Sequence, residues 1–164
     1  MILPVMCKLF LGLLLERMSD KLTAQQTPEE MGFRKDYSCS DLIHMLRMIG
    51  EKAIEWGQTV WAASLDLEKA FDKIIHDAVF EALCKSEVDS CTIAAVRKMY
   101  SHQQAYVDLN TGAKSKLFNI LRGVRQGDPL SPAVFANSIR MCMSTLKAKW
   151  ERNGLGTIVG SQYD

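Results

Sequence analysis

Thr59-Val60-Trp61-Ala62-Ala63-Ser64-Leu65-Asp66-Leu67-Glu68-Lys69-Ala70-Phe71-Asp72 is the stretch on which the fold turns. Its first half, Thr59 to Leu65, is mostly apolar on both faces, as a central strand would be. At Asp66 the apolar run meets a carboxylate and passes into a turn or helix. That places Asp66 at the C-terminal end of a strand, where open sheets form ligand sites. Two readings of the carboxylate stand side by side. It caps the next helix, or it offers hard oxygen ligands to divalent cations.

Upstream, residues Val5 to Leu22 read as a helix of strong formers without an internal proline, with Gly12 as its weak point. Within it, Phe10 to Leu15 is too short to span a bilayer, and Glu16 and Arg17 follow at once with no cleavage site, so a buried or amphipathic helix is expected. The polar stretch Thr23 to Glu30 breaks the pattern. A second helix follows Met31-Gly32-Phe33-Arg34-Lys35, capped by Ser38 or Ser40 and stopped at Gly57 as the C′ residue. Leu42, Ile43, Leu46, Ile49, Ala53 and Trp56 recur along it at helical spacing.

Downstream, helices are expected near His76–Ser86 and Ser90–Tyr100. Strands follow at Gln103 to Leu109 and Leu117 to Leu121, joined as a hairpin through Asn110-Thr111-Gly112. Ser131-Pro132 has the form of an N-cap followed by proline at N1, opening a long helix to about Trp150. Its Met141-Cys142-Met143 cluster reads as core packing, and Lys147, Lys149 and Arg152 as complements to the helix dipole and solvent. The tail from Asn153 to Asp164 is glycine-rich, with room for a short strand.

Composition narrows the classes. The chain has 164 residues, 48% of them hydrophobic, enough for a core, and a formal net charge of +1. That balance gives no gross basic signal, although a local basic groove can hold a phosphate backbone at near-zero total charge. The five cysteines form no C-x-x-C and show no zinc spacing with the three histidines, so reduced thiols are expected.

A second segment carries chemistry: Gly123-Val124-Arg125-Gln126-Gly127-Asp128-Pro129-Leu130-Ser131-Pro132. Its two glycines allow unusual backbone angles or close approach of another chain segment. Gln126 offers an amide on a long arm and Arg125 a fixed cation, just before a helix N-terminus. Such a loop can lie against a template base and an incoming nucleotide; an ordinary connector would also fit. Asp128 is expected to order the turn before Pro129, Asp72 the turn after Phe71, and Glu68 to be solvated.

In this order and spacing, the two segments closely resemble the reverse transcriptases of non-LTR, LINE-like retrotransposons. Leu65 to Asp72 looks like the family's palm motif A, and GVRQGDPLSP at 123–132 looks like motif B almost letter for letter. Gly32-Phe33-Arg34-Lys35-Asp36-Tyr37-Ser38 is similar to the segment between fingers and palm, and Ile2-Leu3-Pro4-Val5 with Lys8-Leu9-Phe10 to the stretch after an RPI signature. The resemblance implies an α+β fold, a partial fingers–palm unit of a right-hand polymerase with a small antiparallel palm sheet packed by helices. Residues 1–57 would be partial fingers and fingers–palm helices. Residues 58–164 would be partial palm, stopping before the family's Ala-Asp-Asp segment and thumb.

It also implies roles. Asp66 would ligate Mg²⁺ or Mn²⁺ and be the catalytic carboxylate, joined by the Leu67 carbonyl. Lys69 and Ala70 would offer backbone N–H groups to a triphosphate, and Phe71 would exclude a 2′-hydroxyl. Arg125, Gln126 and Gly127 would line the nucleotide pocket, and Arg34 would touch nucleic acid or brace the palm. The implied partners are an RNA template, a DNA primer and dNTPs, with no membrane, and the implied place of work is the nucleus. The sequence contains no Asp-Asp pair. With half the anionic ligands of a two-ion site, this polypeptide alone is expected to make no measurable DNA. A non-enzymatic relic with weak nucleic-acid binding is the alternative, and a helical interaction domain leaves GVRQGDPLSP unexplained.

Overall fold

The structure, a computed structural model, describes residues 4–101, 103–108 and 113–155. Six helices and one two-stranded sheet are found among them: α1 (Val5–Ala24), α2 (Cys39–Glu55), α3 (Ala70–Lys73), α4 (His76–Lys85), α5 (Ser90–Tyr100), β1 (Gln104–Ala105), β2 (Phe118–Asn119) and α6 (Ser131–Arg152). The fold is therefore mixed, mainly helical, with a small antiparallel sheet.

The core lies among α1, α4, α5 and α6. α4 packs against both α5 and α6, and α1 lies against α5 and α6. α1 buries Leu11, Leu14, Met18 and Leu22, a spacing that keeps all four on one helical face. They meet Val79, Phe80 and Leu83 of α4, Ile93, Val96 and Tyr100 of α5, and Val134 of α6 in one cluster with Val88, Val124 and Leu130. Burying each such side chain contributes on the order of 1.5–3 kcal/mol. Ser86 Oγ lies 2.9 Å from both the Ala82 carbonyl and Asn137 Oδ1, and its single proton serves one acceptor at a time.

A fork joins the upstream loop to this core. Arg140 of α6 donates from Nε to Glu30 Oε2 at 2.6 Å and from Nη2 to Oε1 at 2.9 Å. Its Nη1 reaches the Leu22 carbonyl and Asn137 Oδ1. Both side chains of the pair are mostly buried, so the bidentate geometry is protected from solvent.

α2 begins and ends where its local chemistry dictates. The Asp41 carboxylate accepts from the Ser38 amide at 2.7 Å and from Ser38 Oγ at 2.8 Å, and these bonds hold its pKa below the ordinary range. At the other end Gly57 has φ +62°, its amide donates to Ile54, and that of Gln58 donates to Ala53. These bonds form a Schellman stop.

Four expectations are corrected. Residues 59–65 form no strand: they are exposed and pair with no described residue, and Trp61 is 93% exposed. An apolar run becomes a strand only where a neighbouring strand takes up its backbone groups. The hairpin is shorter than expected, pairing Gln104 with Asn119 and Ala105 with Phe118, plus an isolated bridge between Asp108 and Lys114. Its Asn110-Thr111-Gly112 turn, like the tail from residue 156, lies outside the described residues. Ser131 is not the N-cap of α6; Leu130 is, because Asp128 Oδ1 already accepts the Leu130 amide at 2.7 Å. Finally, Cys142 and Met143 are exposed: the buried positions of α6 end at Ser138, and beyond it the helix runs past the core.

Candidate active site

The two chemistry-bearing segments are interlocked through their backbones. The Val124 amide donates to the Phe71 carbonyl at 2.8 Å, and the Gly123 amide to the Ile74 carbonyl at 2.8 Å. His76 Nε2 lies 2.8 Å from the Gly123 carbonyl. Gly123 adopts φ +90°, and a Cβ there would come within 3.0 Å of the Asp72 carbonyl oxygen. Ile75 and Arg122 add an antiparallel bridge. The short α3 is thus pinned against the start of the loop that opens α6.

Aromatic contacts reinforce the junction. The Phe71 ring stacks on Phe135 of α6, with centroids 4.4 Å apart and planes at 21°. Phe33, from the segment before α2, meets Phe71 edge-on at 6.0 Å. Residues from three separate sequence segments therefore converge on Phe71, which remains 36% exposed. Such ring pairs contribute about 0.5–1.5 kcal/mol beyond their buried area.

Around this junction, Asp66 is exposed five residues before Phe71, and Leu67 is exposed beside it. Lys69 takes left-handed angles, φ 52° and ψ 44°, and serves as the N-cap residue of α3. Its carbonyl accepts from the Asp72 and Lys73 amides at 3.0 Å. The earlier amides of the turn, at Ala70 and Phe71, have no acceptor within a helix. Lys73 pairs with Glu68 at 3.1 Å on the surface, a contact of little stabilising effect. Gln126 and Gly127 are exposed, and Gly127 has φ +80°. Asp66, Lys69 and Gln126 are thus open to solvent, while Phe71 and the 123–124 backbone are brought together.

Two arginines face inward. Arg125 donates from Nη2 to the Met99 carbonyl, lies 3.9 Å from Cys7 Sγ through Nη1, and sits 5.7 Å above the Tyr100 ring. It braces the loop against α5 and α1. Arg34 donates from Nη1 to the Thr27 carbonyl at 3.2 Å and lies 4.2 Å over the Tyr37 ring, so it braces the segment before α2. A groove of about 500 Å³ lined by His76, Asp77, Phe80, Arg97 and Asn119, among others, includes neither Asp66 nor Gln126.

Among the described residues no group of three His, Cys, Asp or Glu side chains could hold a metal ion, and no helix is long and apolar enough to cross a membrane. Asp66 is exposed, and one carboxylate with a neighbouring backbone carbonyl is at most part of the oxygen set that a divalent ion needs. Phe135, Phe33 and His76 carry no sequence signal that marks them as parts of this junction. Phe33 lies in the Gly32-Phe33-Arg34 segment and Phe135 one helical turn after Ser131, but neither spacing says which ring they meet.

A family model described as reverse transcriptase (RNA-dependent DNA polymerase) matches residues 1–162. Among curated proteins, the chain is 30% identical over 108 residues to a retrovirus-related Pol polyprotein from a type-1 retrotransposable element R2 of Popillia japonica, covering 66% of this chain and 15% of that protein. It is 28% identical over 123 residues to the Pol polyprotein of the type-2 element R2DM of Drosophila melanogaster, covering 74% of this chain and 11% of that protein. It is also 28% identical over 109 residues to a 149 kDa protein of transposon TX1 of Xenopus laevis, covering 66% of this chain and 8% of that protein. The chain thus spans a small part of the length of these relatives. With the motif A turn and the motif B loop locked together and the family matched almost end to end, the chain belongs to the reverse transcriptase family and resembles the Pol polyproteins of R2 retrotransposons.

Proposed function

We infer that this chain supplies part of the fingers and palm of a right-hand polymerase that extends a DNA primer on an RNA template. In this reading residues 1–57 belong to the fingers and fingers–palm helices, and 58–164 to the palm. The observation that supports it is the interlock of Phe71 and Ile74 with Gly123 and Val124, which ties the segment that follows Asp66 to the start of the loop that carries Gln126.

Asp66 and the Leu67 carbonyl would hold a divalent ion, Mg²⁺ or Mn²⁺. When bound, such an ion lowers the charge on a triphosphate and favours attack by a primer 3′-hydroxyl. The chain's own groups position the reactants. The amides of Lys69 and Ala70 present donors to phosphate oxygens in the manner of an anion-binding turn. Phe71, held flat by Phe135, offers a rigid apolar edge to the sugar, against which a 2′-hydroxyl would lose hydration without gaining a partner. Gln126 and Gly127 border the base, and Arg125 holds their loop from behind. RNA template, DNA primer and dNTPs are the partners of the whole protein in this reading, and the nucleus, where chromosomal DNA is found, its place of work.

One carboxylate leaves a divalent ion mostly hydrated and weakly held, so the chain by itself is expected to give no RNA-templated synthesis with Mg²⁺ or Mn²⁺. The sugar pocket is testable without catalysis. Equilibrium dialysis with Mn²⁺ should show dTTP binding more tightly than ribothymidine triphosphate, and Phe71→Ala should bring the two together. Equal affinities for both sugars in the unmodified chain would remove Phe71 from this role.

A further inference from the structure

Asp128 follows Gly127 directly and is 4% exposed, an unusual place for a carboxylate. Its Oδ1 accepts the Leu130 amide, which serves the start of α6. Its Oδ2 is buried with no hydrogen-bond partner among the described residues, and the same holds for the Tyr100 hydroxyl and Ser131 Oγ. The three belong to one buried locus: Tyr100 interacts with Ser131 and Asp128, and Ser131 with Asp128, within reach of one another but without the alignment of a formed hydrogen bond. Tyr100 is 4% and Ser131 2% exposed. The other charged or titratable groups around them are Arg125 of the loop, above the Tyr100 ring, His76 of α4, whose ring meets that of Tyr100 at 5.0 Å, and Cys7 of α1, against Arg125.

Three unpaired polar atoms in one interior site oppose folding. Burial pushes the Asp128 carboxyl above the ordinary carboxylate range. Its folded value exceeds its unfolded one, so its contribution to stability is full below the unfolded pKa and is lost as pH rises through the folded pKa. Once ionised, the group therefore weakens the fold. A residue needed only to cap α6 would do as well as asparagine, which keeps the Oδ1 acceptor without the charge. What asparagine lacks is a second oxygen to which two hydroxyls can donate. Costs of this kind are found where function requires them.

We propose that Asp128 Oδ2, the Tyr100 hydroxyl and Ser131 Oγ form a clasp that closes, with the carboxylate accepting from both hydroxyls, as the Gln126–Gly127 turn seats a deoxynucleoside triphosphate. Asp128 is then a positioning residue that acts through Gln126 and Gly127, and the inference rests on the nucleotide role proposed for that turn. Closure converts three unpaired atoms into two charge-assisted hydrogen bonds, so part of the nucleotide affinity comes from a site the nucleotide does not touch.

The test separates positioning from structure. Mn²⁺–dTTP affinity by equilibrium dialysis and the thermal midpoint are measured near pH 7 for the 164-residue chain and for Tyr100→Phe, Ser131→Ala and Asp128→Asn. Tyr100→Phe and Ser131→Ala are each expected to bind about tenfold more weakly, the loss expected for one charge-assisted bond, and Asp128→Asn, which loses both, more weakly still, all with an unchanged or higher midpoint. Variants that bind as the unmodified chain does would overturn the clasp and leave the nucleotide site standing. Lower midpoints with intact affinity would make the three groups ordinary core polars and also overturn it. Absence of any dTTP binding by the unmodified chain would overturn the nucleotide reading and the clasp with it.

Discussion

Gly123 combines two demands that only glycine meets. Its φ of +90° lies in the left-handed region, and its α-carbon faces the Asp72 carbonyl so closely that a Cβ would sit 3.0 Å from the oxygen. Gly127 shares the backbone demand at φ +80° but has open space where a Cβ would go. Gly123→Ala should therefore lower stability by about 1–3 kcal/mol and Gly127→Ala by clearly less, read as urea midpoints. Equal effects would mean that the close approach to Asp72 is not a constraint. At this scale the sequence revealed that glycines were needed in the loop but not what they approach. Lys147 shows the same limit. It reads as a dipole and solvent residue, yet it donates to Glu29 Oε1 at 2.7 Å, and that bond first of all holds the Glu29 carboxyl at about 2. The depressed value means that the contact helps above the ordinary glutamate pKa and is lost as pH falls toward 2. NMR titration of Glu29 should show this, and Lys147→Ala should return the value toward the usual range. Nothing in the spacing of two charges on distant segments announces such a pair.

Elements were legible where their signals are local. Ser38 or Ser40 and Gly57 mark the ends of α2 in the sequence, and the structure uses Ser38 and Gly57 there because caps depend on only a few neighbouring residues. Packing is different. α2 has an amphipathic pattern but no buried residue, with Ile43 66% and Ile54 84% exposed. Its stability therefore comes from its own caps and pairs, such as Arg47–Glu51 at 2.8 Å, and not from the core. Hydrogen exchange should find α2 amides exchanging at least about a hundredfold faster than those of α4 and α5. Protection equal to α4 would show that α2 packs on something. The same distinction explains residues 59–65: the apolar run is visible in sequence, whereas a strand depends on partners that no local pattern supplies. α6 opens one residue away from the sequence expectation, with Leu130 as its N-cap residue and the Leu130 amide held by the Asp128 carboxylate.

For the whole molecule, the family was legible because two loops carry it, and loops that meet ligands restrict residue identity more than helices do. The surface was less so. Trp61, Leu65, Ile54 and Leu121 are all more than three-quarters exposed, leaving large apolar side chains in water. The isolated chain should self-associate, seen as concentration-dependent sedimentation; a monomer that unfolds cooperatively at all concentrations would count against this. The central claim is that Asp66 and the Gln126 turn share one metal–nucleotide site. Mn²⁺–dTTP added to the ¹⁵N-labelled chain tests it most directly, because paramagnetic broadening reports proximity to the ion residue by residue. The expected result is joint broadening of amides at 66–71 and 123–127, lost in Asp66→Asn; broadening elsewhere, or broadening that survives the substitution, would contradict a shared site.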